Sequence, residues 1–179
     1  IVGAGTTAMD AARAARRMGA ENVHIVYRRT IKESTARIEE LEHAMEEGVQ
    51  FHFLNTPVKL HGDEKGWLKT AECAVMELTE PGPDGRRGVR MTEERVMIPC
   101  ETLVVALGFS VNPLIAQEAK GALKTLKGGV MAVDPDTGET SIPRVFAGGD
   151  AITGGATVIL AMGQGRRAAA AMHKQLTGA

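Results

Sequence analysis

IVGAGTTAMDAARAARRMG, residues 1–19, is the stretch that decides the reading of this chain. Two apolar residues, Ile1 and Val2, lead into a glycine-rich turn, and strong helix formers then run from Ala8 to Met18. Gly19 supplies a helix stop. The following run, Val23 to Tyr27, is short and β-branched, as a buried parallel strand should be. Gly3-Ala4-Gly5-Thr6-Thr7-Ala8 therefore sits between a strand end and a helix start. There the spacing G-x-G-x-x-A has a physical meaning. Gly3 permits the tight turn, and Gly5 lets a pyrophosphate approach the backbone. Ala8 is small enough for close helix–sheet packing, and the helix start offers free N–H groups with a partial positive charge. The plain alternative is an incidental glycine-rich turn.

The end of the second strand bears on which dinucleotide is bound. An acidic residue there would hold a ribose 2′-hydroxyl; this chain carries Arg28 and Arg29 instead. Two guanidiniums suit a 2′-phosphate, with Arg37 able to reach back from the next helix, so NADP is the expected nucleotide. The alternative for all three is a solvated basic surface.

Outward from this unit, Thr30 to Glu33 has capping-box spacing for a helical turn. A helix is expected over about 35–47, with Ile38, Leu41 and Met45 on one face. Val49, Phe51 and Phe53 alternate in a strand closed by Asn55-Thr56-Pro57. Strand, helix, strand, helix, strand implies a parallel sheet with right-handed crossovers. Turn clusters at 62–66 and 81–85 then flank strand-like runs at 68–78 and 95–98, which read as an inserted antiparallel meander. Leu103 to Leu107 is continuous and apolar and should return to the parallel sheet. Gly108 ends it and is placed with the cofactor-binding residues. A helix near 114–120, a short strand at 130–133, a turn at 134–138 and a long helix over about 156–176 complete the pattern.

The stretch Val145-Phe-Ala-Gly-Gly-Asp150-Ala-Ile-Thr-Gly-Gly-Ala-Thr157-Val158 brings a strand into Gly149 and Asp150 and then into that long helix. This suits a flavin. Asp150 would bond a ribityl hydroxyl, and the N–H groups of Ala156, Thr157 and Val158 would face the N1 and O2 edge of the ring. An ordinary helix-capping or turn aspartate is the alternative.

The 179 residues suffice for one or two domains with real cores, and 44% hydrophobic with 24% charged residues is ordinary for a globular chain. A net charge of −1 gives no bulk field for nucleic acid or an anionic membrane. No apolar run reaches membrane-spanning length. Cys73 and Cys100 lack C-x-x-C or metal spacing and read as plain thiols, which fits a cytoplasmic, reducing compartment. The five histidines are scattered, and no triad or carboxylate pair emerges, so no catalytic acid, base or metal ligand is named.

Together GAGTTAMDAARAARRMGAENVHIVYRR, ELEHAMEEGVQFHFL, LVVALGFSVNPLI and VFAGGDAITGGATVILAMGQGRRAA resemble the small subunit of NADPH-dependent glutamate synthase and its relatives. These include the reductase part of dihydropyrimidine dehydrogenase and NAD(P)H:ferredoxin reductases. All are flavoproteins of the pyridine nucleotide-disulfide oxidoreductase type, with two dinucleotide-binding domains. The resemblance implies an α/β chain in which residues 1–107 form a Rossmann-like NADP(H)-binding domain with its first strand truncated. Residues 108–179 would be the returning part of an FAD-binding domain.

It places Gly3, Gly5, Thr6, Thr7 and Ala8 at the NADPH pyrophosphate and Arg28, Arg29 and Arg37 at the 2′-phosphate. Gly149, Asp150, Ala156, Thr157 and Val158 fall at the flavin. Relatives often carry Asn or Asp where Thr6 stands, and a Met-Pro-Ala turn near Ser34-Thr35-Ala36. The parent reaction would be hydride transfer from NADPH to FAD, with electrons passing to iron–sulfur clusters in a preceding region and to a large partner subunit. On that reading this chain alone binds FAD weakly or not at all and has little diaphorase activity. A further reading is a nucleotide-binding module without catalysis, and a third is self-association as a homodimer through exposed FAD-domain surfaces.

Overall fold

A computed structural model describes residues 1–82, 85 and 87–178. The chain divides into two compact units, Ile1–Leu107 and Gly108–Ala179.

In the first unit α1 (Thr6–Arg17) is followed by β1 (His24–Tyr27), a 3-10 turn (Ile31–Glu33), α2 (Ile38–Glu46) and β2 (Gln50–Phe53). β1 and β2 pair in parallel, with Ile25 opposite Phe51 and Tyr27 opposite Phe53. Val2 extends this sheet by bridging Val26 on one side and Val105 on the other, both in parallel. Gly3 N donates to Val26 O at 2.9 Å, and Ala106 N to Val2 O at 2.8 Å. The apolar run 103–107 thus meets the parallel sheet as expected, but at the single bridge of Val105 rather than as a full strand, and Val104, Val105 and Leu107 are exposed rather than buried in the sheet.

Neighbouring β1 residues point to opposite faces, and the two faces are covered differently. Ile25 packs with Met9 and Ala12 of α1, Leu41 and Ala44 of α2, Val23 and Val49. Val26 packs with Ala71, Cys73 and Ile98 of an antiparallel sheet. Met9, Ile25 and Cys73 are fully buried, and each apolar side chain of that size stabilises by about 1.5–3 kcal/mol when removed from water. The result is three layers, with helices on one side of the parallel sheet and strands on the other.

The antiparallel sheet has the order β3 (Asn55–Gly62), β4 (Leu68–Pro81), β5 (Arg87–Pro99). The segment 55–57, expected to end a strand, instead begins β3. Leu54 adopts a left-handed conformation with φ 55°, so β2 passes into β3 through a one-residue kink. Leu54 N donating to Arg29 O at 3.0 Å and Leu54 O accepting from Met76 N at 2.8 Å hold it there. β5 is longer than the expected 95–98 because its polar half, Arg87–Glu94, is held by pairing to β4. Of the turn cluster at 81–85, Pro83 and Asp84 lie outside the described residues.

In the second unit α3 (Leu114–Glu118) and α4 (Asp150–Thr153) are short, and α5 (Val158–Thr177) is long. The expected strands at 130–133 and 145–147 are single bridges: Thr125 with Met131, Val133 with Thr140 and Glu139 with Phe146. Asp134 organises the turn between them, its Oδ1 accepting from Asp136 N, Thr137 N and the Thr137 hydroxyl.

Candidate functional site

The glycine-rich turn lies at the carboxyl ends of the parallel strands, where open α/β sheets bind nucleotides. Gly3 has φ +129°, and a Cβ built on it would stand 2.3 Å from Ala106 O. Glycine is required there by the close approach of the returning strand. Gly5 is different: it caps α1 in an extended conformation with φ −97°, and a Cβ would meet only Thr35 Oγ1, at 3.1 Å. Ala8, fully buried, lets α1 sit against the sheet.

No side chain caps α1. Ala8 N and Met9 N donate to Gly5 O, and among the described residues the N–H groups of Thr6 and Thr7 donate to nothing. An uncapped twelve-residue helix with free donors is suited to an anion.

The loop after β1 is bound to this turn. Ser34 Oγ donates to Ala4 O at 2.6 Å and Ala36 N to the same oxygen at 3.3 Å. Tyr27 OH donates to Glu33 O at 2.7 Å. The Thr30/Glu33 capping box is present, with Thr30 N donating to Glu33 Oε2 at 3.0 Å. These bonds hold the Thr30 hydroxyl and backbone against Glu33, keeping its carboxyl below the usual carboxylate range.

Arg28 and Arg29 follow β1 directly, beside Val26, whose carbonyl accepts from Gly3 N. Arg28 is exposed. Arg29 is half-buried, with a buried Nε that has no partner among the described residues. Arg37 is the residue before α2 and is exposed. The structure thus brings Gly3, Gly5, Thr6, Thr7, Ala8, Arg28, Arg29 and the Arg37 backbone to one end of one sheet.

Three further residues join them without standing out in the sequence. Ser34 and Thr35 reach the turn as just described. Glu40 Oε2 accepts from Thr6 Oγ1 at 2.9 Å and from Arg37 N at 3.0 Å. The Arg37 N–H is the main cause that holds the Glu40 carboxyl below its ordinary range, helped by the Thr6 hydroxyl and the nearby Arg37 and Arg13 charges. The Glu three residues after Arg37 is visible as a capping pattern; its bond to Thr6 spans 34 positions.

In the second unit Gly149 has φ +66°, donates its N–H to Gln164 Oε1 at 2.6 Å, and would set a Cβ 3.4 Å from that of Ala161. Asp150 opens the one-turn α4 rather than ending a strand. Its Oδ1 accepts from Ala156 N at 3.3 Å, so Ala156 N is engaged within the turn and is not free for a ring. Thr157 precedes α5 without a side-chain cap, and Thr157 and Val158 are exposed with no acceptor on their N–H groups among the described residues. Gly108, with φ +87°, is exposed and has no close neighbours.

A cavity of about 810 Å³ lies at the opposite, amino-terminal ends of the parallel strands, lined by Ile1, His24, Pro57, Ile98, Cys100 and Leu103 among others. It is away from the glycine-rich turn. Beside it His24 Nδ1 and His52 Nε2 are 3.0 Å apart, and burial lowers both imidazole pKa values. Cys73 and Cys100 are free thiols, and burial pushes the Cys73 thiol up. No group of three or more His, Cys, Asp or Glu among the described residues is placed to hold a metal. No described helix is long and apolar enough to cross a membrane.

Residues 1–165 match the model of the pyridine nucleotide-disulphide oxidoreductases. NADP(+)-dependent formate dehydrogenase subunit beta of Moorella thermoacetica is 41% identical over 177 residues, which are 98% of this chain and 24% of that protein. The glutamate synthase [NADPH] small chain of Escherichia coli is 30% identical over 172 residues, 94% of this chain and 36% of that one. The chain therefore spans about a quarter to a third of the length of these relatives. Among solved structures, thioredoxin reductase of T. acidophilum superposes with a TM-score of 0.76 at 19% identity, over 98% of this chain and 51% of that one. Mycobacterium tuberculosis FprA in complex with NADPH gives 0.74 at 17%, over 99% and 52%. At those identities the likeness is one of fold.

Proposed function

Because this chain belongs to the pyridine nucleotide-disulphide oxidoreductase family, we propose that residues 1–107 bind NADPH and that residues 108–179 form part of a flavin site in a larger NADPH-dependent oxidoreductase. One observation carries the reading. The uncapped start of α1, with free Thr6 and Thr7 N–H groups, lies beside a strand end that carries Arg28 and Arg29 and no acidic residue.

Each residue then has a task. The Thr6 and Thr7 N–H groups and the positive end of α1 hold the pyrophosphate. Gly5 keeps the backbone open to it, and Gly3 and Ala8 fix the turn to the sheet. Arg28, Arg29 and Arg37 pair with the 2′-phosphate through their guanidinium groups. Hydride transfer between two stacked rings needs orientation more than a protein acid or base, which accounts for a site built of backbone N–H groups and arginines.

The second unit fits a flavin through the exposed, uncapped start of α5, where the Thr157 and Val158 N–H groups would face the ring's acceptor edge. The Asp150 oxygen not bonded to Ala156 would take a ribityl hydroxyl. FAD, when bound, supplies the exchange between two-electron and one-electron chemistry. The exposed apolar residues Val158, Ile159 and Met162 of the first turns of α5 favour a covering surface, whether a partner subunit or another part of the parent.

The relatives' names cite formate, iron(III) and glutamate, and each of these relatives matches this chain over 94% or more of its length. The glutamate synthase small chain, at 30%, lies below formate dehydrogenase subunit beta at 41%, so motif spelling does not single out glutamate synthase. Calorimetric titration with NADPH and NADH tests the proposal: NADPH is expected to bind at least tenfold more tightly, and equal affinities would overturn it.

A further inference from the structure

Among the described residues, Glu40 is the carboxylate that joins the two halves of the proposed nucleotide site. It sits in the first turn of α2, three residues after Arg37, and a single oxygen, Oε2, accepts from both Arg37 N and Thr6 Oγ1. The first bond belongs to the local capping pattern. The second reaches across to the first turn of α1, which has no acidic residue of its own. The starts of the two helices are therefore fastened to each other through one atom.

The fastening fixes two things. Arg37 is exposed and carries no bond of its own guanidinium to another residue in the described structure, so what the structure fixes is the point from which its side chain leaves the backbone. That backbone is held by Glu40 at one end and by the Ser34 and Ala36 bonds to Ala4 O at the other. In addition, the Thr6 proton is committed to Glu40. The Thr6 oxygen is left as an acceptor towards the site, matched to a ribose hydroxyl rather than to a phosphate oxygen.

We infer that Glu40 is a positioning residue for nucleotide selection: by holding Arg37 N and Thr6 Oγ1 on one oxygen, it sets Arg37 where the 2′-phosphate binds. This inference rests on the NADPH reading above. Glu40 touches neither phosphate nor ring; it acts through Arg37. Its removal therefore weakens NADPH more than NADH, whereas a residue that merely braced the fold would weaken both alike.

The test is calorimetric titration of the 179-residue chain with NADPH and NADH, using wild type, Glu40→Ala, Glu40→Gln, Arg37→Ala and the Arg37→Ala/Glu40→Ala double variant. Glu40→Ala is expected to weaken NADPH about tenfold, the scale of one lost charge-assisted bond, and NADH less than twofold. Glu40→Gln keeps a carbonyl oxygen for both donors and should stay within about threefold of wild type for NADPH. The double variant should be no weaker than Arg37→Ala alone, because the two residues act as one.

Equal loss of both nucleotides in Glu40→Ala overturns the inference. So does a full additive loss in the double variant, or a Glu40→Gln variant as weak as Glu40→Ala. If wild type itself fails to prefer NADPH, the functional reading has failed before this inference is reached. If wild type prefers NADPH and Glu40→Ala keeps the preference, only the inference has failed.

Discussion

Replacing Gly3 by alanine separates the two duties of the glycine-rich turn. At φ +129° a side chain is strained whatever space surrounds it, and the new Cβ would lie 2.3 Å from Ala106 O and 3.0 Å from Ala106 C. The obstacle is backbone, which cannot rotate away as a side-chain tip can. The strain costs roughly 1–3 kcal/mol for a non-glycine residue in such a region. Pushing the 103–107 strand aside also weakens the bonds from Val2 N to Val104 O and from Ala106 N to Val2 O, each 2.8 Å long and worth about 1 kcal/mol. Gly3→Ala should therefore lose about 3–5 kcal/mol of stability. Urea unfolding followed by far-ultraviolet circular dichroism reads this as a lower midpoint at unchanged slope. A loss below about 1 kcal/mol would refute the claim that the returning strand, rather than a ligand, makes glycine necessary at this position.

Gly5→Ala should behave in the opposite way. With an ordinary φ and only the Thr35 hydroxyl to displace, it should unfold within about 1 kcal/mol of wild type yet bind NADPH markedly less well by calorimetry. Ile25→Ala empties a fully buried site between α1, α2 and the sheet and should cost about 2–5 kcal/mol in the same urea assay. The His24–His52 pair makes stability depend on pH. Burial lowers both imidazole pKa values in the folded chain, so the unfolded chain binds protons more readily. The pair's contribution is fully present above the unfolded value, about 6.5, and is lost as the pH falls below it. Urea midpoints at pH 7.5, 6.5 and 5.5 should fall in wild type and fall less in His52→Asn, and parallel slopes in the two proteins would contradict this.

Local chemistry made much of the first unit legible. Ala8 to Met18 carries helix propensity and Gly19 a stop; Thr30 and Glu33 carry a capping box; the unbroken apolar run 103–107 points back to the parallel sheet, which it meets at Val105. What escaped reading depends on partners distant in sequence. Leu54 has no propensity for a left-handed conformation, and it is held there by Arg29 and Met76. The polar half of β5 does not look like a strand until β4 lies beside it.

The same division runs through the site. Gly3, Gly5, Ala8 and the arginines are recognisable by spacing. The reason for Gly3, however, is the carbonyl of Ala106, more than a hundred positions away. The bond between Thr6 and Glu40 joins two helices that sequence presents separately. In the second unit Asp150 is legible as a residue at a glycine-rich bend, but its bond to Ala156 N, six positions on, belongs to a turn that no periodicity announces.

Arg28 and Arg29 are the proposed readers of the 2′-phosphate. Calorimetric titration of Arg28→Ala/Arg29→Ala with NADPH and NADH tests this role, because only NADPH carries the group they are said to hold. The expected result is an NADPH affinity that drops to that of NADH, with NADH binding unchanged within about twofold, since the pyrophosphate contacts at α1 remain. An NADPH preference that survived the loss of both guanidiniums would contradict the account.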